Sequence, residues 1–186
     1  MSNPGRRREV LEAVLALLAQ VGYERLTMDL VAQRARVGKA TLYQRWPSKA
    51  ELVVAALQDQ HPAIGLPDTG SVAEDLRGLL LAWQAGWVER DRGLVLAVLE
   101  ASRSDPELAR LRQERLSRPL FQAAQSVLER ARARGQVPAQ VDEELLVQLP
   151  FALVLMRVLV LDEEPGRELI DRIVDGVLVP LLRTGV

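Results

Sequence analysis

Two short stretches near the N-terminus carry the residues best suited to recognition chemistry. MDLVAQRA (28–35) and KATLYQRW (39–46) are separated by only Arg36-Val37-Gly38. In the second stretch Leu42 faces inward at helical spacing, with Trp46 one turn on. That leaves Lys39, Thr41, Gln44 and Arg45 free to point outward. An outward Lys donates to guanine O6 or N7, and an outward Gln pairs with the edge of adenine. A helix N-terminus adds backbone N–H groups that bind phosphate. This is the chemistry of holding and reading, not of making bonds.

The rest of the chain offers little for catalysis. There is no cysteine, which excludes disulfides and thiolate chemistry, and the single histidine, His61, rules out most zinc constellations. The acid pairs Glu89 with Asp91 and Glu163 with Glu164 fall at caps and turns, where acids are expected anyway. No phosphate loop, His-based metal motif or nucleophile elbow occurs. The expectation is a protein that is not an enzyme, with no catalytic residue, no metal and no cofactor. Net charge is −1, but it is unevenly spread. Residues 1–60 hold nine Lys/Arg against six Asp/Glu, and residues 61–186 hold fifteen against nineteen. Both lysines, Lys39 and Lys49, lie in the basic part. A modestly basic head suits phosphate contact, and an acidic body does not. Arg6–Arg8 are followed by Glu9, Glu12 and Gln20 rather than an apolar leader, so the expected location is the cytoplasm.

The elements that must position these residues read as helices throughout. Val10, Val14, Leu17, Leu18 and Val21 recur at helical spacing over 6–21, and Gly22 reads as the C-cap. Thr27 precedes MDLVAQRA as an N-cap. Pro47 stops KATLYQRW, and Ser48 caps a fourth helix through Leu57. The Pro- and Gly-rich run HPAIGLPDTG (61–70) is the best domain boundary. Ser71 with Glu74 reads as a capping box for a helix over about 71–89. Asp91 begins another, to about Ser102, and Asp105-Pro106 opens a long stretch that Pro119 should kink or restart. Arg130, Arg132 and Arg134 crowd its end before Gly135. Asp142 caps a helix to about Leu161, an acidic turn follows at 162–165, and a last helix runs from about Gly166 to Arg183. The predicted fold class is all-α. Residues 1–60 form a three-to-four-helix head with a helix-turn-helix, and residues 71–186 form a longer helical domain.

The head resembles the TetR/AcrR family of transcription regulators. The resemblance rests on Leu26-Thr27, Val31-Ala32, Ala35, Val37, Thr41-Leu42-Tyr43, Trp46, Ser48-Lys49 and Leu52, and spans about residues 6–57. It implies phosphate contacts from Thr27, Tyr43 and Lys49, and base-edge approach by Lys39, Ala40, Thr41 and Gln44, with Arg45 also in the DNA-binding set. Two positions depart from the family pattern. Arg36 stands where the family usually has Gly, and Gly38 where it often has Ser or Thr. If position 36 needs a positive φ, a non-Gly residue costs roughly 1 kcal/mol. Gly38 is a tolerated but poorer cap than Ser or Thr. Arg36 would in turn offer a further phosphate contact.

For the body, the resemblance implies a regulatory domain that binds a small molecule and forms a homodimer. Arg134-Gly135, Val141-Asp142, Pro150 and Arg157 resemble one recurrent type of such a domain. LLVQLPFALVLMRVLVL (145–161) is short for a membrane span and is interrupted by Gln148, Pro150 and Arg157, so a helix buried on two sides is expected, with no membrane contact. The final helix carries a stripe of Leu169, Ile170, Ile173, Val174, Val177, Leu181 and Leu182. The last two helices of each subunit would build a four-helix interface. Trp83 and Trp87 lie one turn apart, and with Phe121, Met156 and Arg157 they are candidates for an effector pocket, or for simple core packing. The few polar residues expected there are Gln84, Gln122, Gln125, Gln148 and Arg157, which favours a lipophilic or aromatic effector. The expected function is a repressor that binds a palindromic operator in double-stranded DNA and is released by that effector.

Overall fold

The computed structural model describes residues 4–60, 65–87, 92–138, 141–163 and 166–184, and only the backbone at 86, 87 and 92. His61 and the side chain of Trp87 therefore lie outside the described residues. All regular structure among the described residues is helical, as the sequence predicts. The elements are α1 Pro4–Arg25, α2 Met28–Ala35, α3 Lys39–Arg45, α4 Lys49–Gln60, α5 Val72–Trp87, α6 Arg92–Ser104, α7 Pro106–Arg112, α8 Arg118–Ala133, α9 Glu143–Leu159, α10 Arg167–Ile173 and α11 Val179–Thr184. No helix of the described residues is long and apolar enough to cross a membrane.

Several ends follow from single residues. Gly22 takes φ 76°, ψ 170°, outside the helical region, so the first helical run of α1 ends there as expected, and a further turn beyond the kink reaches Arg25. Asp105 and Asp142 accept the amides of Leu108 and Leu145 at 3.0 Å each, so both cap as expected. At the end of α8 the amides of Gly135 and Gln136 reach the carbonyls of Arg132 and Ala131, both at 2.9 Å, with Gly135 at φ 73°. The capping box at Ser71 is only half made. The amide of Glu74 reaches the Ser71 hydroxyl at 3.5 Å, but the Glu74 carboxylate turns to Arg77 instead.

Pro119 does not break the chain's helical course. A π-helical turn, Gln113–Ser117, joins α7 to α8 just before it, and a second, Val174–Leu178, joins α10 to α11 just before Pro180. A proline ring clashes with the carbonyl four residues back and offers it no N–H. A widened turn moves that carbonyl away and lets the helix continue.

The division into units differs from the contiguous ranges 1–60 and 71–186. Met1–Pro62 and Gly93–Ser117 make one compact unit, and Ala63–Arg92 with Arg118–Val186 make the other. The cause is apolar packing. Val98, Ala101, Leu108 and Leu111 are buried in the same core as Val10, Val14, Leu42, Trp46 and Leu52. In this first unit α1 packs on α2 and α4, α2 on α3, and α4 on α7. In the second unit α5 packs on α8, α8 on α9, and the final helix on α5 and α9. Its core centres on Leu79, Leu80, Val127, Leu128, Val154, Ile170 and Leu178.

Candidate nucleic-acid interface

The helix-turn-helix is built from the ends of two short helices. Thr27 caps α2 by accepting the amide of Leu30 at 3.2 Å, which uses its oxygen and leaves its hydroxyl proton to donate elsewhere. At the other end of α2, Arg36 takes φ 52°, ψ 47°, in the left-handed region. The amides of Arg36 and Val37 bond to the carbonyls of Gln33 and Ala32 at 3.2 and 3.0 Å. The helix end thus needs the positive φ that glycine gives freely, and the sequence supplies an arginine. Arg6, at the start of α1, donates from Nη2 to the carbonyl of Arg36 at 2.6 Å and fastens the strained turn. Nothing in the spacing of residues 6 and 36 signals that bond, and it was not legible in the sequence.

Gly38 caps α3 with no side-chain bond, at φ −67°, ψ 138°. From there α3 buries Leu42 fully and Trp46 nearly so, while Lys39, Ala40, Tyr43, Gln44 and Arg45 are exposed and Thr41 is half-buried. The polar face of the second helix is therefore free, as the spacing predicts. Lys39 does not stand alone on it. Its Nζ lies 2.6 and 2.7 Å from the two carboxylate oxygens of Asp29, on the first turn of α2. That hydrogen bond holds the ammonium above the ordinary lysine range. The pair also brings the N-terminal ends of α2 and α3 together. Arg45 lies over the Trp46 ring at 5.7 Å, a loose contact that leaves its guanidinium outward.

Lys49 has internal partners as well as a candidate external one. Its Nζ donates to the carbonyl of Tyr23 at 3.0 Å and sits 4.0 Å from the centre of the Tyr23 ring. The buried Tyr23 hydroxyl in turn donates to Asp105 at 2.5 Å. Burial, this bond and the charges of Asp105, Glu107 and Glu24 push the Tyr23 phenol far up. Burial alone would raise the Asp105 carboxyl. The bonds from Tyr23 and the amides of Leu108 and Glu107, with the charge of Lys49, outweigh burial and hold it below the usual carboxylate range. Two more contacts tie the start of α4 to the α7 region. Ser48 donates to Glu107 at 3.0 Å, and Arg115 makes a two-pronged pair with Glu51 at 2.6 and 2.8 Å. Ser48 also caps α4, accepting the amide of Glu51 at 3.1 Å.

This geometry can hold nucleic acid. It presents two adjacent helix N-termini, an exposed polar α3 and a set of flanking cations. Comparisons with known proteins agree. Residues 10–56 match the family described as bacterial regulatory proteins, tetR family, and residues 66–177 match the tetracyclin repressor-like C-terminal domain. The chain belongs to the TetR family. As a TetR-family protein it is a DNA-binding transcription regulator. An HTH-type transcriptional regulator of Mycobacterium tuberculosis, Rv1556, is 35% identical over 95% of this chain and 88% of its own length. The DNA-binding transcriptional repressor TetR of Mycobacteroides abscessus is 32% identical over 97% of this chain and 95% of its own. Among solved structures, the TetR family regulator SCO0332 superposes with a TM-score of 0.68 at 32% identity, over 93% of this chain and 96% of its own. The flavonoid-responsive regulator FrrA does so with a TM-score of 0.70 at 25% identity, over 97% of each chain.

The effector candidates in this TetR-family chain are not all brought together. Trp83 is buried and meets Phe151 edge-on, with ring centres 4.8 Å apart, and Phe121 meets the same ring at 5.5 Å. Phe151 was missed from sequence, because it sits in the most apolar stretch, where one ring does not stand out. Met156 and Arg157 do not join this cluster. Met156 is 52% exposed, and Arg157 pairs with Glu163 at 2.7 Å beyond the end of α9. Among the glutamines, Gln84 is buried next to Trp83, while Gln122, Gln125 and Gln148 are exposed. The strongest polar feature of this unit was also missed. Arg77, with a side chain 10% exposed, bonds Asp171 at 2.8 Å, Asp175 at 2.6 Å and Glu74. It ties α5 to the final helix across more than ninety residues of sequence, a distance at which charge spacing carries no signal.

Proposed function

We propose that this protein is a repressor that binds a palindromic operator as a homodimer and is released by a small aromatic effector. The observation that carries the DNA half is the exposed polar face of α3, set beside the capped start of α2. In this reading Thr27, Arg36, Tyr43 and Lys49 hold phosphates. Lys39, Ala40, Thr41 and Gln44 approach base edges, with Arg45 alongside. Lys49 keeps two of its three donor directions beyond the bond to Tyr23, so it can serve both partners.

Dimerisation through the last two helices is supported by the outer face of α9. Leu145, Leu149, Ala152, Met156 and Val160 recur every three or four residues, and Leu145, Met156 and Val160 are 58%, 52% and 70% exposed. An apolar stripe of this kind marks an interaction surface. On the final helix Gly176 is exposed with open space where a Cβ would stand, which suits close approach of a second helix. A two-fold pair of heads matches two half-sites about 34 Å apart. The regulatory part would then lie within residues 71–186, apart from the Gly93–Ser117 segment that shares the core of the first unit.

The effector reading narrows to the cluster of Trp83, Phe121 and Phe151. A planar aromatic effector could replace these ring contacts. The similarity to the flavonoid-responsive regulator FrrA supports that class. Effector binding would change the spacing of the two heads, and linkage requires DNA to weaken effector binding by the same factor.

Fluorescence anisotropy with operator DNA tests the reading. Affinity should fall steeply with salt, and Lys49→Ala should reduce the slope by about one. Light scattering should give twice the 20.6 kDa chain mass, and Met156→Glu with Val160→Glu should give the chain mass itself and weaken operator binding. Weak binding that ignores both sequence and salt would overturn the repressor reading.

A further inference from the structure

The Lys39–Asp29 pair poses a physical question. Phosphate-rich DNA repels a carboxylate, yet Asp29 stands 64% exposed at the start of α2, beside the first residue of the recognition helix. An exposed ion pair contributes little to stability. The positive end of α2 favours an acid anywhere in its first turn, but it does not require that the acid meet Lys39. Both oxygens of Asp29 lie within 2.7 Å of the Lys39 ammonium, which is itself 56% exposed. The carboxylate thus fixes where that ammonium sits.

We infer that Asp29 is a specificity-determining residue, and that Asp29 and Lys39 together read one G·C base pair in the major groove of each half-site. The donor and acceptor counts fit. The ammonium has three donors, and its contact with Asp29 leaves at least one for guanine O6 or N7. The carboxylate has lone pairs to spare and accepts from cytosine N4, the group that an A·T pair does not present there. Guanine O6 and cytosine N4 are neighbours across one base pair, which suits two side-chain tips already in contact. The acid has a second consequence. A lysine neutralised by Asp29 is a poor phosphate ligand, so the pair weakens sequence-independent binding while it rewards the correct base pair.

This inference rests on the operator-binding reading above, and the two can fail separately. Double-stranded DNA selected by the wild-type protein from a random pool supplies the probe. Each half-site position is then exchanged one at a time, and binding is measured by anisotropy. Asp29→Ala should tighten binding to unrelated DNA several-fold and steepen the salt slope by about one. It should also lower discrimination about ten-fold at a single G·C position and leave the other positions unchanged. Lys39→Ala should lose discrimination at that same position. Unchanged melting temperatures for both variants keep the readout on recognition. If Asp29→Ala discriminates as the wild type does at every position, the inference falls and the operator reading stands. If the wild-type protein selects no sequence at all, both fall.

Discussion

The two units use charged side chains in opposite ways. In the first, the charged side chains on α3 and at the turn before it are exposed. Lys39 pairs with Asp29 at more than half exposure on both sides, and Arg36 and Arg45 point outward. In the second, the central charge is enclosed. Arg77 is 10% exposed and engages three carboxylates on two helices. Exposed charge stays open to a second partner such as a polyanion, whereas enclosed charge fixes one arrangement of the helices. A substitution in the first set should change recognition, and one in the second should change folding.

Arg77→Ala should have the largest effect. It leaves Glu74, Asp171 and Asp175 without their shared cation, and it should lower stability by about 2–4 kcal/mol, read from urea unfolding. Arg77→Met keeps much of the volume and should recover part of that loss. A loss below about 1 kcal/mol for the alanine variant would erase the contrast between the units.

Tyr23→Phe comes next, and it tests whether the first unit has a buried polar anchor of its own. Losing the bond to Asp105 should destabilise by about 1–2 kcal/mol near neutral pH. The pH dependence has a definite sign. An unfolded tyrosine titrates near 10, and the folded Tyr23 lies above that. Below pH 10 both states hold the proton and the contribution is whole. Above it the unfolded chain ionises first, so stability falls by about 1.4 kcal/mol per pH unit. Thermal melts between pH 9 and 11 should show this slope flattened in Tyr23→Phe.

The two left-handed helix ends sharpen the comparison further. Ala32–Val37 and Ala131–Gln136 make the same pair of backbone bonds, but one has Arg36 at positive φ and the other Gly135. Arg36→Gly should gain about 1 kcal/mol of stability, and Gly135→Ala should lose about as much. Operator affinity should fall for Arg36→Gly alone. Arg6→Ala, which removes the latch on the Arg36 carbonyl, should weaken operator binding less in the Arg36→Gly background, where the turn no longer needs it. Equal effects in both backgrounds would show that Arg6 acts in some other way.

Gly38→Ser should have the smallest effect. A Cβ at Gly38 would meet Thr41 Oγ1 at 3.6 Å, an ordinary contact, so the serine fits and can cap α3. The gain should be only a few tenths of a kcal/mol, visible as a small rise in melting temperature.

Much of this was legible because it depends on neighbours in the chain. The period that buries Leu42 and Trp46, the caps at Thr27, Asp105 and Asp142, and the glycine at the end of α8 are all set within five residues. Helical hydrogen bonds and caps act over that range, so residue order alone determined the helices, the helix-turn-helix and the family pattern. Prolines 119 and 180 show the limit. Their positions announced a disturbance, but not that a widened turn would absorb it.

Only the tertiary structure decided what lies between distant residues. It placed Gly93–Ser117 in the first unit, because Val98 and Leu108 find their apolar partners there. It joined Arg6 to Arg36, Tyr23 to Asp105, and Arg77 to Asp171 and Asp175. It also gave Lys39 its carboxylate, and separated Met156 from the ring cluster around Phe151. Charge and apolar contact act through space and are indifferent to sequence separation. Spacing along the chain can therefore announce a lysine that reads DNA, but not the aspartate that holds it in place.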